Sequence, residues 1–230
     1  MKRIAVIAAS GIGQRVGGEK PKQYLELDNG LTILDTTLTR LLVSSFFDYI
    51  IVALNQNDRY WQHSRFAGHS RILTTLGGDE RSDSVRNALL ALKNIADDDD
   101  WICIHDAARP CIDLDDVRRL YAMIRAERAI GGILALPVTD TIKRVNAKKN
   151  ITATLDRNAL YLAQTPQIFQ YKTLIYALYF CGENEIKITD DAQAVEALDH
   201  QPIIVEGKKS NIKITVEEDI DLANYYLTRI

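Results

Sequence analysis

Cysteine is scarce in this chain, and the three that occur, Cys103, Cys111 and Cys181, show no CxxC spacing. An odd, scattered set argues against a disulfide framework or a zinc ribbon and fits buried thiols in a reducing compartment. Histidine is equally sparse, with four residues and neither an HExxH nor a paired-histidine spacing. No apolar run approaches the ~20 residues needed to span a bilayer. Lys2 and Arg3 ahead of Ile4–Ala9 imitate the start of a signal peptide, but the apolar part is short and runs into glycines and charges. A cytoplasmic location is therefore expected. Surplus positive charge is missing too. A formal net charge of −3 argues against bulk electrostatic binding of DNA or RNA, so neither nucleic acid nor membrane is an expected partner.

What is present is an ordinary globular composition, 47% hydrophobic and 26% charged. At 230 residues, one α/β domain spanning 1–230 with an insertion is the best fit to length. Residues 3–8 read as a strand buried on both faces. Further strands are expected at 49–54, 71–75, 101–105 and 131–136. Helical spacing marks 32–43, 81–93 and 114–128. This alternation predicts a doubly wound, mostly parallel sheet of Rossmann-like α/β type. The pattern breaks at 137–158, where two short alternating pieces, 141–145 and 151–155, flank Asn146–Asn150. That stretch reads as a protruding β-hairpin arm which cannot bury a core of its own and so packs on another subunit. Helices are expected again at 172–180, 190–198 and 216–227, with a strand at 202–206. Asp97–Asp100 reads as a solvated turn, because it lacks the spacing and closing Glu of a calcium loop.

The chemistry concentrates at strand ends, where open α/β sheets bind ligands. The first strand stops in Ser10-Gly11-Ile12-Gly13, and Arg15, Lys20 and Lys22 follow closely. Glycines admit backbone N–H groups to phosphate oxygens, and the cations neutralise charge. Neither familiar nucleotide pattern is satisfied. Val16 stands where the third glycine of a dinucleotide fingerprint belongs, and Lys20 precedes Pro21 instead of a P-loop Ser or Thr. A plain strand-to-helix turn is the competing reading. A second cluster, Gly77–Ser84, offers glycine backbone to a flat base, with Asp79 and Ser84 either reading its edge or capping a helix. A third ends in His105-Asp106-Ala107-Ala108-Arg109. Asp106 there suits a magnesium ion or a hydroxyl, and Arg109 suits a phosphate. Late in the chain Thr189 is either a cap or a site residue, Lys213 either a solvated strand position or a site residue, and Thr215 a cap for the last helix. No protein nucleophile is apparent, which fits in-line transfer at phosphorus.

Taken in order, these segments resemble the 2-C-methyl-D-erythritol 4-phosphate cytidylyltransferase family over essentially the whole chain. The resemblance rests on Gly11-x-Gly13-x-Arg15, Pro21-Lys22-Gln23, Gly77–Arg81 with Ser84-Val85, His105–Pro110, Asp140–Lys143, Asp156-Arg157, Gln164–Gln167, Thr189-Asp190 and Asn211–Thr215. It implies that CTP and methylerythritol phosphate yield the cytidine diphosphate product and pyrophosphate, with Mg²⁺ or another divalent cation. It assigns Arg15, Lys22 and Lys213 to catalysis. Ala9, Ser10, Gly11, Gly13, Gly78, Asp79, Ser84 and Ala107 would frame CTP. Asp106, Arg109, Thr189 and Lys213 would line the polyol-phosphate pocket. The arm would swap across a homodimer, so that Thr141, Arg157 and Thr165 come from the neighbouring subunit. The metal would be held mainly by CTP phosphates, with Asp106 as the one protein ligand on offer. Ser10 departs from the small residue usual before Gly11, and its hydroxyl is free to add a phosphate contact. The rival readings are a ribitol 5-phosphate cytidylyltransferase, against which Ala108 and Asp156-Arg157-Asn158 speak, and a non-catalytic nucleotide-binding scaffold.

Overall fold

The computed structural model describes residues 1–11, 20–43 and 45–229. Continuous apolar runs become the central strands: β1 (Arg3–Ala9), β2 (Tyr49–Leu54), β3 (Ile72–Leu76) and β4 (Trp101–Asp106). Between and after them come α1 (Ile33–Leu42), α2 (Arg81–Ala91) and α3 (Leu114–Glu127), followed by β5 (Gly131–Pro137). The chain then runs through β6 (Ile142–Val145) and β7 (Ile151–Leu155) to β8 (Tyr161–Gln170). It ends with α4 (Tyr171–Glu183), α5 (Asp191–Glu196), β9 (Ile203–Glu206) and α6 (Glu218–Leu227). Seven strands form one sheet in the order β3-β2-β1-β4-β8-β5-β9. The pairs β1–β2, β1–β4, β2–β3 and β5–β9 are parallel, and β8 alone runs against its neighbours.

Side chains alternate across the pleat and bury both faces. Ala5, Ile7 and Ala9 of β1 point to one layer with Leu34, Leu38 and Leu41 of α1 and Val117, Leu120 and Ile124 of α3. Ile4 and Val6 point to the other, with Val85, Ala88 and Leu89 of α2 and Leu174, Ala177 and Leu178 of α4. Full burial of an aliphatic side chain contributes roughly 1.5–3 kcal/mol, so packing on the sheet, more than intrinsic helix propensity, holds these helices. A smaller cluster of Leu27, Ile33, Cys111, Ile214 and Ala223 seats α6 beside α1.

Strand β8 is the element that sequence periodicity misses. It carries Gln164, Thr165, Pro166 and Gln167 where a strand buried on both faces calls for aliphatic residues. Gln167 is buried and paired on both sides of its amide: it donates to Asp190 Oδ2 at 2.8 Å and accepts from the Ala192 N–H at 2.9 Å. On β5 the register jumps between Ile133, opposite Gln167, and Ala135, opposite Ala163. Residues 164–166 thus form a bulge, which tolerates a proline that a regular central ladder would not. Of the two readings of Lys213, the strand position is not the one found: residues 211–215 pair in no sheet.

The arm forms as a separate two-stranded sheet, β6 with β7, and is largely exposed. The acidic run is more than a solvated turn. Asp100 is buried and accepts from the Lys2 and Asp97 N–H groups at 2.6 and 2.9 Å, anchoring the entry to β1. All three cysteines are free and buried.

Candidate active site

Beyond the C-terminal ends of β1 and β4 lies a cavity of about 320 Å³ lined by Ala8–Gly11, Lys22, Gln23, Asp79–Arg81, Asp106–Ala108, Lys213 and Thr215. Local pairing builds its floor. Gln23 Nε2 donates to the Ala9 and Gly11 carbonyls at 2.7 and 3.0 Å, and Asn55 Nδ2 to the Ser10 carbonyl at 3.1 Å. Thr37 Oγ1 donates to the Ala107 carbonyl at 2.9 Å from the side of α1. These bonds consume carbonyl oxygens along the strand ends.

Gly77 lets the β3 end come against β1, since a Cβ there would stand 2.4 Å from Ser10 Cβ. Ser84 Oγ accepts from the Gly78 N–H at 3.0 Å and donates its proton to the Glu80 carbonyl at 3.1 Å. A 2.6 Å hydrogen bond also joins the Ser10 and Ser84 hydroxyls. Ser10 Oγ thus joins the seam between β1 and α2. The cap ahead of helix α2 is Glu80, whose N–H donates to Asp83 Oδ2 at 3.3 Å, so neither Asp79 nor Ser84 is its cap. Asp79 is exposed at the cavity wall.

Asp106 is the electrostatic centre. Its carboxylate lies 2.9 Å from Lys213 Nζ, 3.1 Å from Arg81 Nε and 3.4 Å from Arg109 Nε. Burial pushes this carboxyl up, but the three cations outweigh it and hold it well below the ordinary carboxylate range. Arg81 also reaches Asp191 Oδ2 at 2.8 Å. Burial works against the Arg81 charge, and Asp191 and Asp106 overcome it and raise the pKa. Beneath Asp106, the Thr165 hydroxyl lies 3.1 Å from the Asp106 N–H, as acceptor, and 3.0 Å from His105 Nδ1. Burial lowers His105 to about 4, leaving it a neutral packing residue.

Lys22 Nζ donates to the Ile214 carbonyl at 2.9 Å, which joins the turn at Lys22–Tyr24 to the 211–215 segment and sets two lysines at one cavity. Arg109 Nη1 and Gln164 Nε2 both donate to the Asn211 carbonyl, at 2.7 and 3.3 Å, and Asn211 Nδ2 donates to the Thr165 carbonyl at 2.8 Å. Thr215 serves the start of α6 indirectly: its N–H and Oγ1 both donate to Asp219 Oδ2, at 2.7 and 2.9 Å.

Of the residues singled out from sequence, Ala9, Ser10, Gly11, Lys22, Asp79, Asp106, Ala107 and Lys213 line the cavity, while Gly78, Ser84, Arg109 and Thr165 buttress it. Thr165, expected from a neighbouring subunit, is buried against this chain's own Asp106. Thr141 and Arg157 are exposed, and Arg157 donates to the Thr139 carbonyl. Thr189 is exposed beside α5, bonded to Gln193 Oε1, and Asp190 is the cap. Gly13 and Arg15 lie outside the described residues. Arg81 was missed, although it stands inside Gly77–Arg81, one of the segments that carried the resemblance.

The chain and its fold have counterparts among known proteins. The profile of the 2-C-methyl-D-erythritol 4-phosphate cytidylyltransferase family (IspD) matches residues 3–229. The chain belongs to that family. A cytidylyltransferase of the same name from Ruthia magnifica subsp. Calyptogena magnifica is 43% identical over 231 residues, covering 97% of this chain and 96% of the relative. One from Vibrio vulnificus (strain YJ016) is 42% identical, over 98% of this chain and 94% of the relative. Among solved structures, the Francisella tularensis cytidylyltransferase superposes with a TM-score of 0.86 at 39% identity, over 98% of this chain and all of that one. The cytidylyltransferase from Thermus thermophilus gives a TM-score of 0.80 at 28% identity, over the full length of both.

Proposed function

We propose that the cavity at the ends of β1 and β4 is where this cytidylyltransferase joins CTP to 2-C-methyl-D-erythritol 4-phosphate. An oxygen of the polyol phosphate attacks the α-phosphorus of CTP in line. The bond from that phosphorus to the bridging β-phosphate oxygen breaks, and pyrophosphate leaves with its electron pair. No covalent enzyme intermediate is involved. Lys22 and Lys213, with Arg15, stabilise the charge that builds on the pentacoordinate phosphorus. Asp79, Ser84 and the backbone of residues 9–11 and 78 receive the cytidine end, with Ala107 and Gly13 assigned to the same task. Asp106, Arg109 and Thr189 receive the polyol phosphate. The observation that carries this reading is the meeting of Lys22 and Lys213, distant in sequence, on one cavity beside the glycine-bearing end of β1.

The described residues do not make a magnesium cage. They contain no cluster of three or more His, Cys, Asp or Glu side chains suited to a metal, and both Asp106 oxygens already face cations. A divalent cation accordingly enters on the triphosphate as part of the substrate.

Residues 137–158 act as a dimerisation arm within a single 1–230 domain, presenting Thr141 and Arg157 to a neighbour's site. The exposed apolar side chains Val145 and Ile151 support that role. No helix among the described residues is long and apolar enough to cross a membrane, and work in the cytoplasm fits the three reduced thiols.

Pyrophosphate release with CTP, Mg²⁺ and each polyol phosphate tests the proposal. The expected outcome is a kcat/KM for methylerythritol phosphate at least about tenfold above that for ribitol 5-phosphate, a gap of about 1.4 kcal/mol. Faster use of ribitol 5-phosphate overturns the substrate, and CTP binding without pyrophosphate from either overturns catalysis.

A further inference from the structure

Arg81 is the first residue of α2, Asp106 the last of β4 and Asp191 the first of α5. The Arg81 guanidinium bridges them, 3.1 Å from Asp106 Oδ1 through Nε and 2.8 Å from Asp191 Oδ2 through Nη1. Asp191 is fully buried, whereas Arg81 keeps one side on the cavity. As a device for stability this triad is poorly made. Among the described residues neither Asp191 oxygen finds a well-aligned hydrogen-bond donor, and Arg81 Nη2 finds no acceptor. Buried charges so incompletely paired seldom outweigh their own desolvation. What the triad achieves is geometric. Arg81 grips Oδ1 of Asp106, which leaves Oδ2 to Lys213 at 2.9 Å and Arg109 at 3.4 Å, so the carboxylate is held from both edges. Without Arg81 only the Oδ2 edge would be held. Arg81 also belongs to the helix whose Ser84 is sewn to Ser10 on the nucleotide side.

We infer that Arg81 is a positioning residue, which orients Asp106 for the polyol phosphate through the buried Asp106–Arg81–Asp191 bridge. The inference rests on the polyol phosphate binding beside Asp106, as proposed above. Full-length Arg81→Lys, Arg81→Gln and Asp191→Asn enzymes, with Asp106→Asn alongside, test it by steady-state kinetics with each substrate varied in turn. Arg81→Gln is expected to raise KM for the polyol phosphate by about 30-fold or more while KM for CTP moves less than about threefold. Arg81→Lys, which keeps the charge but reaches only one carboxylate, is expected to recover part of that loss. Asp191→Asn, which leaves Arg81 in place with a weaker anchor, is expected to raise the same KM by about fivefold. If both substrates' parameters fall together, or Arg81→Lys and Asp191→Asn match wild type, Arg81 does not position. If Asp106→Asn raises the polyol KM and the Arg81 variants do not, only this inference fails. If Asp106→Asn itself leaves that KM unchanged, the placement of the polyol phosphate fails first.

Discussion

Replacing Asp106 with Asn removes the anion that Arg81, Arg109 and Lys213 share, at distances of 3.1, 3.4 and 2.9 Å. Breaking a buried ion pair from one side costs about 3–5 kcal/mol, because the partner charges stay behind uncompensated. Lys213 is 40% exposed and solvent screens its share, so the lower end, about 3 kcal/mol, applies. For a chain of this size that is a fall in Tm of about 6–12 °C. Asp98→Asn is the internal control. Asp98 pairs with Lys172 at 2.8 Å, but both side chains are more than half exposed, so no measurable loss is expected. Urea unfolding of the three proteins, with m unchanged, measures both. The pH dependence has a definite sign. The Asp106 carboxyl is depressed in the fold, so its contribution is fully present above the unfolded value near 4 and is lost as pH falls below it. The gap between wild type and Asp106→Asn is therefore expected to stay constant from about pH 5 to 8 and to shrink below about pH 4. An Asp106→Asn protein as stable as wild type, or a gap that widens on acidification, would refute the reasoning.

Other consequences are equally open to measurement. Lys22→Ala and Arg15→Ala are expected to lower kcat by about 100-fold or more while CTP affinity, read by calorimetry, changes less, since their task is transition-state charge. Arg157→Ala is expected to be nearly inactive alone and to regain activity when mixed with Lys22→Ala, through dimers holding one intact site; no recovery after subunit exchange counts against a shared site. His105, lowered to about 4 by burial, stays largely unprotonated in the fold down to about pH 5. Stability is thus expected to drop as pH falls from about 6.5 toward 4, by about 3 kcal/mol in total, and His105→Gln should flatten that part of the urea-midpoint profile. Gly77→Ala would drive a methyl to 2.4 Å from Ser10 Cβ, and a loss of about 1–3 kcal/mol with weakened CTP binding is expected.

Much of this architecture was legible because the parallel strands are plain apolar runs and the helices repeat apolar residues at helical spacing. Strand β8 was not. Gln164, Thr165 and Gln167 look like surface residues, and only tertiary partners such as Asp190, Ala192 and Asp106 explain why they are buried. Lys213 had the same difficulty. Locally it is a lysine in an extended stretch, and its meaning comes from Asp106, far away along the chain. Arg81 was hidden for another reason: it stood among residues assigned to a base, while its guanidinium points toward two carboxylates. Single residues whose roles depend on long-range ion pairs leave no periodic trace.

The arm has a mechanical simplicity that matters for engineering. Pro137 pairs with Tyr161, and the Val138 N–H donates to the Leu160 carbonyl at 3.0 Å, so the chain leaves and re-enters the sheet at the same spot. Strands β5 and β8 are thus a hairpin, and the arm is its overgrown loop. Such a loop is a cassette. Exchanging it for a turn of about two to five residues should leave both ladders closed. Grafting another protein's arm onto the same base would leave β1, β4 and the cavity beyond their ends untouched.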